Sequence, residues 1–216
     1  MSKNNIKLAK TVIGFYAYLF VVWGFYRLLF QFPGALEELL FKPVVWLLPL
    51  YFIIKKQKIQ LSELGVNAKN LFQVIYFTLF LGFLFSLAAL LVNYLKYGEL
   101  NLGAYIGEDA FALSIFLSFV TAIVEEIPFR GFIFSQTNKI LGSEFKANVL
   151  TSLGWVGIHL PIAFFDWRLD PISLAVYLAL TFTFSFAATY LFARTKNIAT
   201  PILLHVFWQW PIILFR

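Results

Sequence analysis

Long apolar runs separated by short polar connections make up the whole chain. About 20 predominantly apolar residues cross a hydrocarbon core as a helix. Runs of that order fall at roughly 11–31, 36–54, 71–95, 110–134, 147–165, 171–193 and 198–215. The pattern predicts an all-α fold, a polytopic transmembrane helix bundle of about seven spans. It reads as a single integral-membrane domain over 1–216, with no internal repeat and no low-complexity linker. The second run is the irregular one: Glu37, Glu38, Lys42, Pro43 and Pro49 interrupt it, so it reads as a tilted or re-entrant piece. The fourth is bounded by Gly98, Gly103 and Gly107 before it and Gly142 after it. The first run, behind MSKNNIKLAK, is bulky and long and lacks a small-x-small cleavage site, which predicts a retained signal anchor.

Composition agrees. Hydrophobic residues are 61% of the 216 and charged residues 13%, whereas soluble domains run at about half and about a quarter. Trp and Tyr residues often fall near the ends of apolar runs, where interfacial anchors sit. The absence of cysteine excludes disulfides, thiolate catalysis and Cys-based metal centres. A net charge of +6 implies no nucleic-acid partner here, because in a chain whose partner is the lipid bilayer the placement of Lys and Arg outweighs their sum.

That placement alternates. Lys3, Lys7 and Lys10 precede the first run, and Lys55, Lys56, Lys58 and Lys69 follow the second. Lys139 and Lys146 follow the fourth, and Arg194 and Lys196 the sixth. The other connections carry mainly acids: Glu37 and Glu38, then Glu99, Glu108 and Asp109, then Asp166 and Asp170. By the positive-inside rule the chain is a multi-pass cell-membrane protein with a cytosolic N-terminus and a C-terminus outside. Arg27, near the outer end of the first run, is expected to snorkel.

Few ionisable residues remain inside the spans: Glu125, Glu126 and Arg130 in TAIVEEIPFRGFIF, His159 in LGWVGIHLPIAFF and His205 in TPILLHVFWQW. Intramembrane ionisable groups face a bundle interior and mark function or pairing. Helical rise of about 1.5 Å per residue puts His205 about 10 Å, and Glu125 and His159 about 15–20 Å, from the cytosolic boundary. Glu126 and Arg130 are four apart and can pair, while Glu125 is offset by about 100° and can face a cavity. Pro128 should kink the helix beside them, and Gly131 admits a close neighbour. His205 and Gln209 share a face, and Thr200-Pro201 reads as the N-cap and first residue of the last helix. Trp155 lies one turn before His159. The bland alternatives are a Glu–Arg ion pair that staples helices and histidines that hydrogen-bond between them.

Carboxylate and imidazole in a partly dry cavity suit water activation, with Glu125 as general base. His205 and Gln209 can donate to an oxyanion. A zinc ion held by Glu125, His159 and His205 is the alternative, although the local HExxH spacing is absent and the ligands would come from three helices; with one carboxylate ligand fewer than a tight zinc site would have, a metal-free site is favoured. No serine has a histidine within local helical reach, so nucleophilic Ser catalysis does not fit.

The motifs resemble a known family. EEIPFR is similar to the EExxxR motif of the CPBP family, the Abi and type II CAAX prenyl endopeptidase group that also includes bacteriocin self-immunity proteins. WVGIH and HVFWQ occupy the places of its FxxxH and HxxxN motifs, in order and on successive helices, and the resemblance covers about 110–210. It implies an intramembrane endopeptidase of a peptide or membrane-tethered protein, entered from the cytosolic side. Glu125 would activate water with His159, supported by Glu126 and Arg130, and His205 and Gln209 would form the oxyanion hole. Trp155 replaces the usual Phe, and Gln209 the usual Asn, which keeps the amide and moves it one methylene out. Two other readings stay open: a catalytically weak member acting as a membrane binding or immunity protein, and a proton-coupled transporter, disfavoured by the absence of a matching polar half.

Overall fold

A computed structural model describes residues 3–30, 32–100 and 111–215. The expected Gly103, Gly107, Glu108 and Asp109 lie outside the described residues. Among those described there are seven continuous helices and no strand: α1 (Lys3–Leu29), α2 (34–57), α3 (Leu71–Tyr97), α4 (111–141), α5 (Glu144–Asp166), α6 (Pro171–Thr195) and α7 (Ala199–Phe215). Each predicted apolar run becomes one helix. Five of the seven are long and apolar enough to cross a membrane; α2 and α7 are not among them.

Both exceptions have physical reasons. Helix α2 carries Glu37, Glu38 and Lys42 in its first turns, and these charges point inward: Glu37 and Lys42 are buried. Helix α7 is 17 residues long over the described residues, one short of the length a span requires here. The connection after α2 folds into a 3-10 turn, Leu61–Leu64, whose Leu64 is fully buried. That turn packs on α4 at Gly131, where a Cβ would lie 3.1 Å from the Leu64 carbonyl oxygen. Gly65, at φ +78°, then accepts the Ile198 N–H at 2.9 Å at the entry to α7. Asn197 ties the two connections together by donating to the Lys69 carbonyl, and its Oδ1 caps the Ala199 N–H at 2.9 Å. Asn197, not Thr200, therefore caps the helix; the Thr200 hydroxyl pairs with that of Thr195.

Prolines are absorbed rather than breaking helices. The chain adopts π geometry over Glu37–Phe41, Ile127–Phe134 and Ile162–Asp166, and each segment adjoins or contains a proline environment: Pro43, Pro128 and Pro161. A wider turn relieves the clash between a proline ring and the carbonyl four residues back. Where a kink was expected at Pro128, the helix continues in π geometry.

Helix α4 is central. Its Phe129 and Phe132 are fully buried among Phe15 of α1, Trp46 of α2 and Trp155 of α5. Tyr16 of α1 donates to the Gly154 carbonyl of α5 at 3.0 Å, and α3 lies against α7 through Phe85 and Trp208. The outward faces are greasy, as Phe72, Tyr76, Phe80 and Phe83 of α3 show. Such a surface suits acyl chains and would be an aggregation liability in water.

Arg27 does not snorkel. It is mostly buried at the end of α1, ion-paired with Glu37 of α2 and hydrogen-bonded to Asp166 of α5 at 2.9 Å, with its guanidinium over the Trp23 ring. The cluster ties α1, α2 and α5 together at one end of the bundle.

Candidate active site

The two adjacent glutamates of α4 part company. Glu126 is fully buried and faces Arg130, one turn on, which donates to its Oε1 at 3.1 Å. Arg130 is itself inaccessible, lies 4.1 Å from the Trp155 ring centroid, and reaches the Ser185 carbonyl of α6. Glu126 Oε1 also meets His205 Nδ1 of α7 at 2.7 Å. An ionised carboxylate only accepts, so Nδ1 carries the proton and Nε2 is left as an acceptor. Gln209 supplies the donor, its Nε2 lying 3.1 Å from His205 Nε2. One polar chain thus runs Arg130–Glu126–His205–Gln209.

Glu125, about 100° around the helix, faces a cavity of about 430 Å³ also lined by His159, His205, Gln209, Lys42 and Tyr177. Its Oε1 lies 2.5 Å from Lys42 Nζ. Its Oε2 is 3.9 Å from His205 Nε2, beyond hydrogen-bond reach but close enough for one small molecule to touch both. His159 donates from Nδ1 to the Trp155 carbonyl at 2.8 Å, which fixes its tautomer and leaves Nε2 as an acceptor.

Sequence reasoning missed Lys42, Glu38 and Thr121. Lys42 Nζ is 3.0 Å from both oxygens of Glu38, and Thr121 of α4 donates to Glu38 Oε2 at 2.6 Å. The available signal was spacing: Glu38 and Lys42 are four apart and share a helix face. They instead read as interruptions of a span, with Glu38 among the acids of a loop.

Depth also needs correction. Helix α4 runs to Leu141, 16 residues past Glu125, which is about 24 Å of rise. His205 is level with Glu126 despite lying only six residues from Ala199. The cavity lining continues to Arg27 and Trp167, at the bundle end that carries the 167–170 connection. The sequence estimate had put these groups in the opposite, lysine-rich half.

The donor set does not fit a metal. Lys42 holds one oxygen of Glu125 and both ring nitrogens of His205 are engaged, which leaves His159 Nε2 as the one uncommitted imidazole nitrogen. Among the described residues no three His, Asp or Glu side chains are grouped to bind one.

Residues 107–211, the stretch that builds this cavity with α2, match the family described as Type II CAAX prenyl endopeptidase Rce1-like. This part of the chain is similar to that family, which supports a place in the CPBP group. No curated protein and no solved structure matches the chain. The match spans α4 through most of α7, so Glu125, Glu126, Arg130, His159, His205 and Gln209 all fall inside it, whereas Glu38 and Lys42 fall outside. The match to a membrane-protease family and five apolar helices of span length support a multi-pass membrane protein.

Proposed function

We propose that the protein is an intramembrane endopeptidase that hydrolyses a peptide bond with water activated by Glu125. One observation carries the reading: Glu125 Oε2 and the Nε2 atoms of both histidines belong to groups lining one cavity, with Glu125 Oε1 already occupied by Lys42. A water there has two acceptors for its protons, Glu125 Oε2 and His159 Nε2. Transfer of one proton to Glu125 accompanies attack of the oxygen on the scissile carbonyl. The tetrahedral intermediate then collapses as Glu125 returns the proton to the departing amine. Gln209, oriented by His205, keeps a second N–H to offer the carbonyl oxygen as it gains charge. His205, proton-bearing at Nδ1 only, acts by orienting Gln209 rather than by donating itself.

The family match supports a substrate with a C-terminal CAAX-type sequence, and the indole and phenol rings near Trp167 and Tyr177 suit an apolar tether beside the peptide. The lining residues favour entry from the end bearing Arg27 and Trp167. Entry from the cytosol holds only if that end faces the cytosol, which is opposite to the orientation the lysines favour.

The decisive experiment uses full-length protein in proteoliposomes with peptides ending in a CAAX sequence, prenylated and unprenylated. Wild type should cleave, and Glu125→Gln should lose about 10²–10⁴-fold in rate, the usual share of a general base. Equal cleavage by both proteins overturns the proposal. A folded wild type that cleaves neither peptide, yet binds one, favours the binding-protein reading.

A further inference from the structure

A second cavity, of about 610 Å³, lies at the far end of the bundle between α1, α2, the end of α4 and the Leu61–Leu64 turn. Its rim carries Lys7, Lys56, Lys58 and Lys139, against a single carboxylate, Glu63. Glu63 is spent on Lys139, with which it forms an ion pair. Among the described residues, Lys7, Lys56 and Lys58 have no carboxylate partner. Two neutral features point the same way. Gln136 lines the cavity, is 2% exposed, and its Nε2 has no hydrogen-bond partner. Asn4 lines it from α1 and adds a side-chain amide to the same wall.

A buried amide without a partner is costly unless something fills its valence. Three unneutralised ammonium groups around one concavity repel each other, and a bound anion relieves that repulsion. We propose that this cavity binds a phosphate-bearing anion, either the headgroup of an anionic phospholipid or free phosphate. Its size suits a headgroup, since small-molecule sites run at about 300–1,000 Å³. Basic pockets between transmembrane helices at a lysine-rich face bind such headgroups. The site is separate from the Glu125 cavity and does not depend on the protease reading.

The test uses purified full-length protein in uncharged detergent, titrated with dioleoylphosphatidylglycerol, dioleoylphosphatidylcholine or inorganic phosphate, and read by native mass spectrometry and thermal shift. Wild type should prefer phosphatidylglycerol over phosphatidylcholine at least tenfold. Lys7→Gln/Lys56→Gln/Lys58→Gln should abolish that preference. Lys10→Gln/Lys69→Gln/Lys146→Gln removes equal charge from outside the cavity and should leave it within twofold. Competition by millimolar phosphate assigns the site to the free anion as well; stabilisation by phosphatidylglycerol alone assigns it to lipid. Equal loss in both triple variants, or no preference in wild type, overturns the proposal. Should the first triple variant lose helicity, Lys56→Gln/Lys58→Gln against Lys69→Gln/Lys146→Gln makes the same comparison.

Discussion

The Lys42 ammonium sits 2.5 Å from Glu125 Oε1 and shares its charge with Glu38. One cation between two carboxylates, all within a bundle, is stable only while the cation stays. Removing one partner of a buried pair costs about 3–5 kcal/mol because the other charge is left uncompensated. Lys42→Met should therefore destabilise the protein by about that amount in a reversible unfolding titration in micelles. Adding Glu38→Gln and Glu125→Gln to Lys42→Met should restore more than half of the loss. Wild-type stability in Lys42→Met alone would show that the contact carries no energy.

Arg130 and Glu126 make a second test, and a geometric one. Both are fully buried, and the guanidinium stacks over Trp155 while reaching the Ser185 carbonyl. A lysine keeps the charge but neither stacks nor forks. Arg130→Lys should thus be destabilised nearly as much as Arg130→Leu, with both losing His205 order through Glu126. The imidazole resonances of His205 in NMR report this directly; unchanged shifts in Arg130→Lys would separate Arg130 from the site.

How much of this was legible beforehand follows from which interactions are local. Apolar runs of span length became helices one for one, since length and composition alone decide that. The Glu126–Arg130 pair and the His205–Gln209 pair were legible because four residues separate each. The packing of the Leu61–Leu64 turn on α4 was not, because it depends on Leu64 meeting Gly131 across 67 positions of chain. Nor was the meaning of Lys42: a lysine in a broken span looks like an interruption until Glu125 arrives from α4. Pro128 announced a local departure, but only the structure shows a widened turn absorbing it.

Gln209 decides whether the oxyanion contact exists. A hydrogen-bonded amide set by His205 can serve a developing charge; an alkyl group of similar size cannot. Gln209→Leu should cost about 10²–10³-fold in turnover, the effect of one oxyanion donor. Gln209→Asn withdraws the amide by one bond, about 1.5 Å, so its link to His205 must pass through water. A loss within about tenfold, with KM unchanged, is expected from water mediation. If Gln209→Leu turns over like wild type, the amide is a structural partner of His205 and nothing more.

Orientation can be settled because the chain contains no cysteine. Single cysteines at Arg168 and at Lys58 mark opposite ends of the bundle, the first beside the Arg27–Asp166 cluster and the second at the lysine-rich cavity. A membrane-impermeant maleimide added to intact cells should label one and spare the other. The lysine distribution predicts that Arg168→Cys is labelled and Lys58→Cys is protected until the membrane is opened. The peptide cavity would then face outward, and its substrate would be cleaved after or during export. The reverse labelling would place Glu125 on the cytosolic side of a chain that violates the positive-inside rule. Net orientation energy from eleven lysines and arginines at one end makes that reversal the costlier outcome.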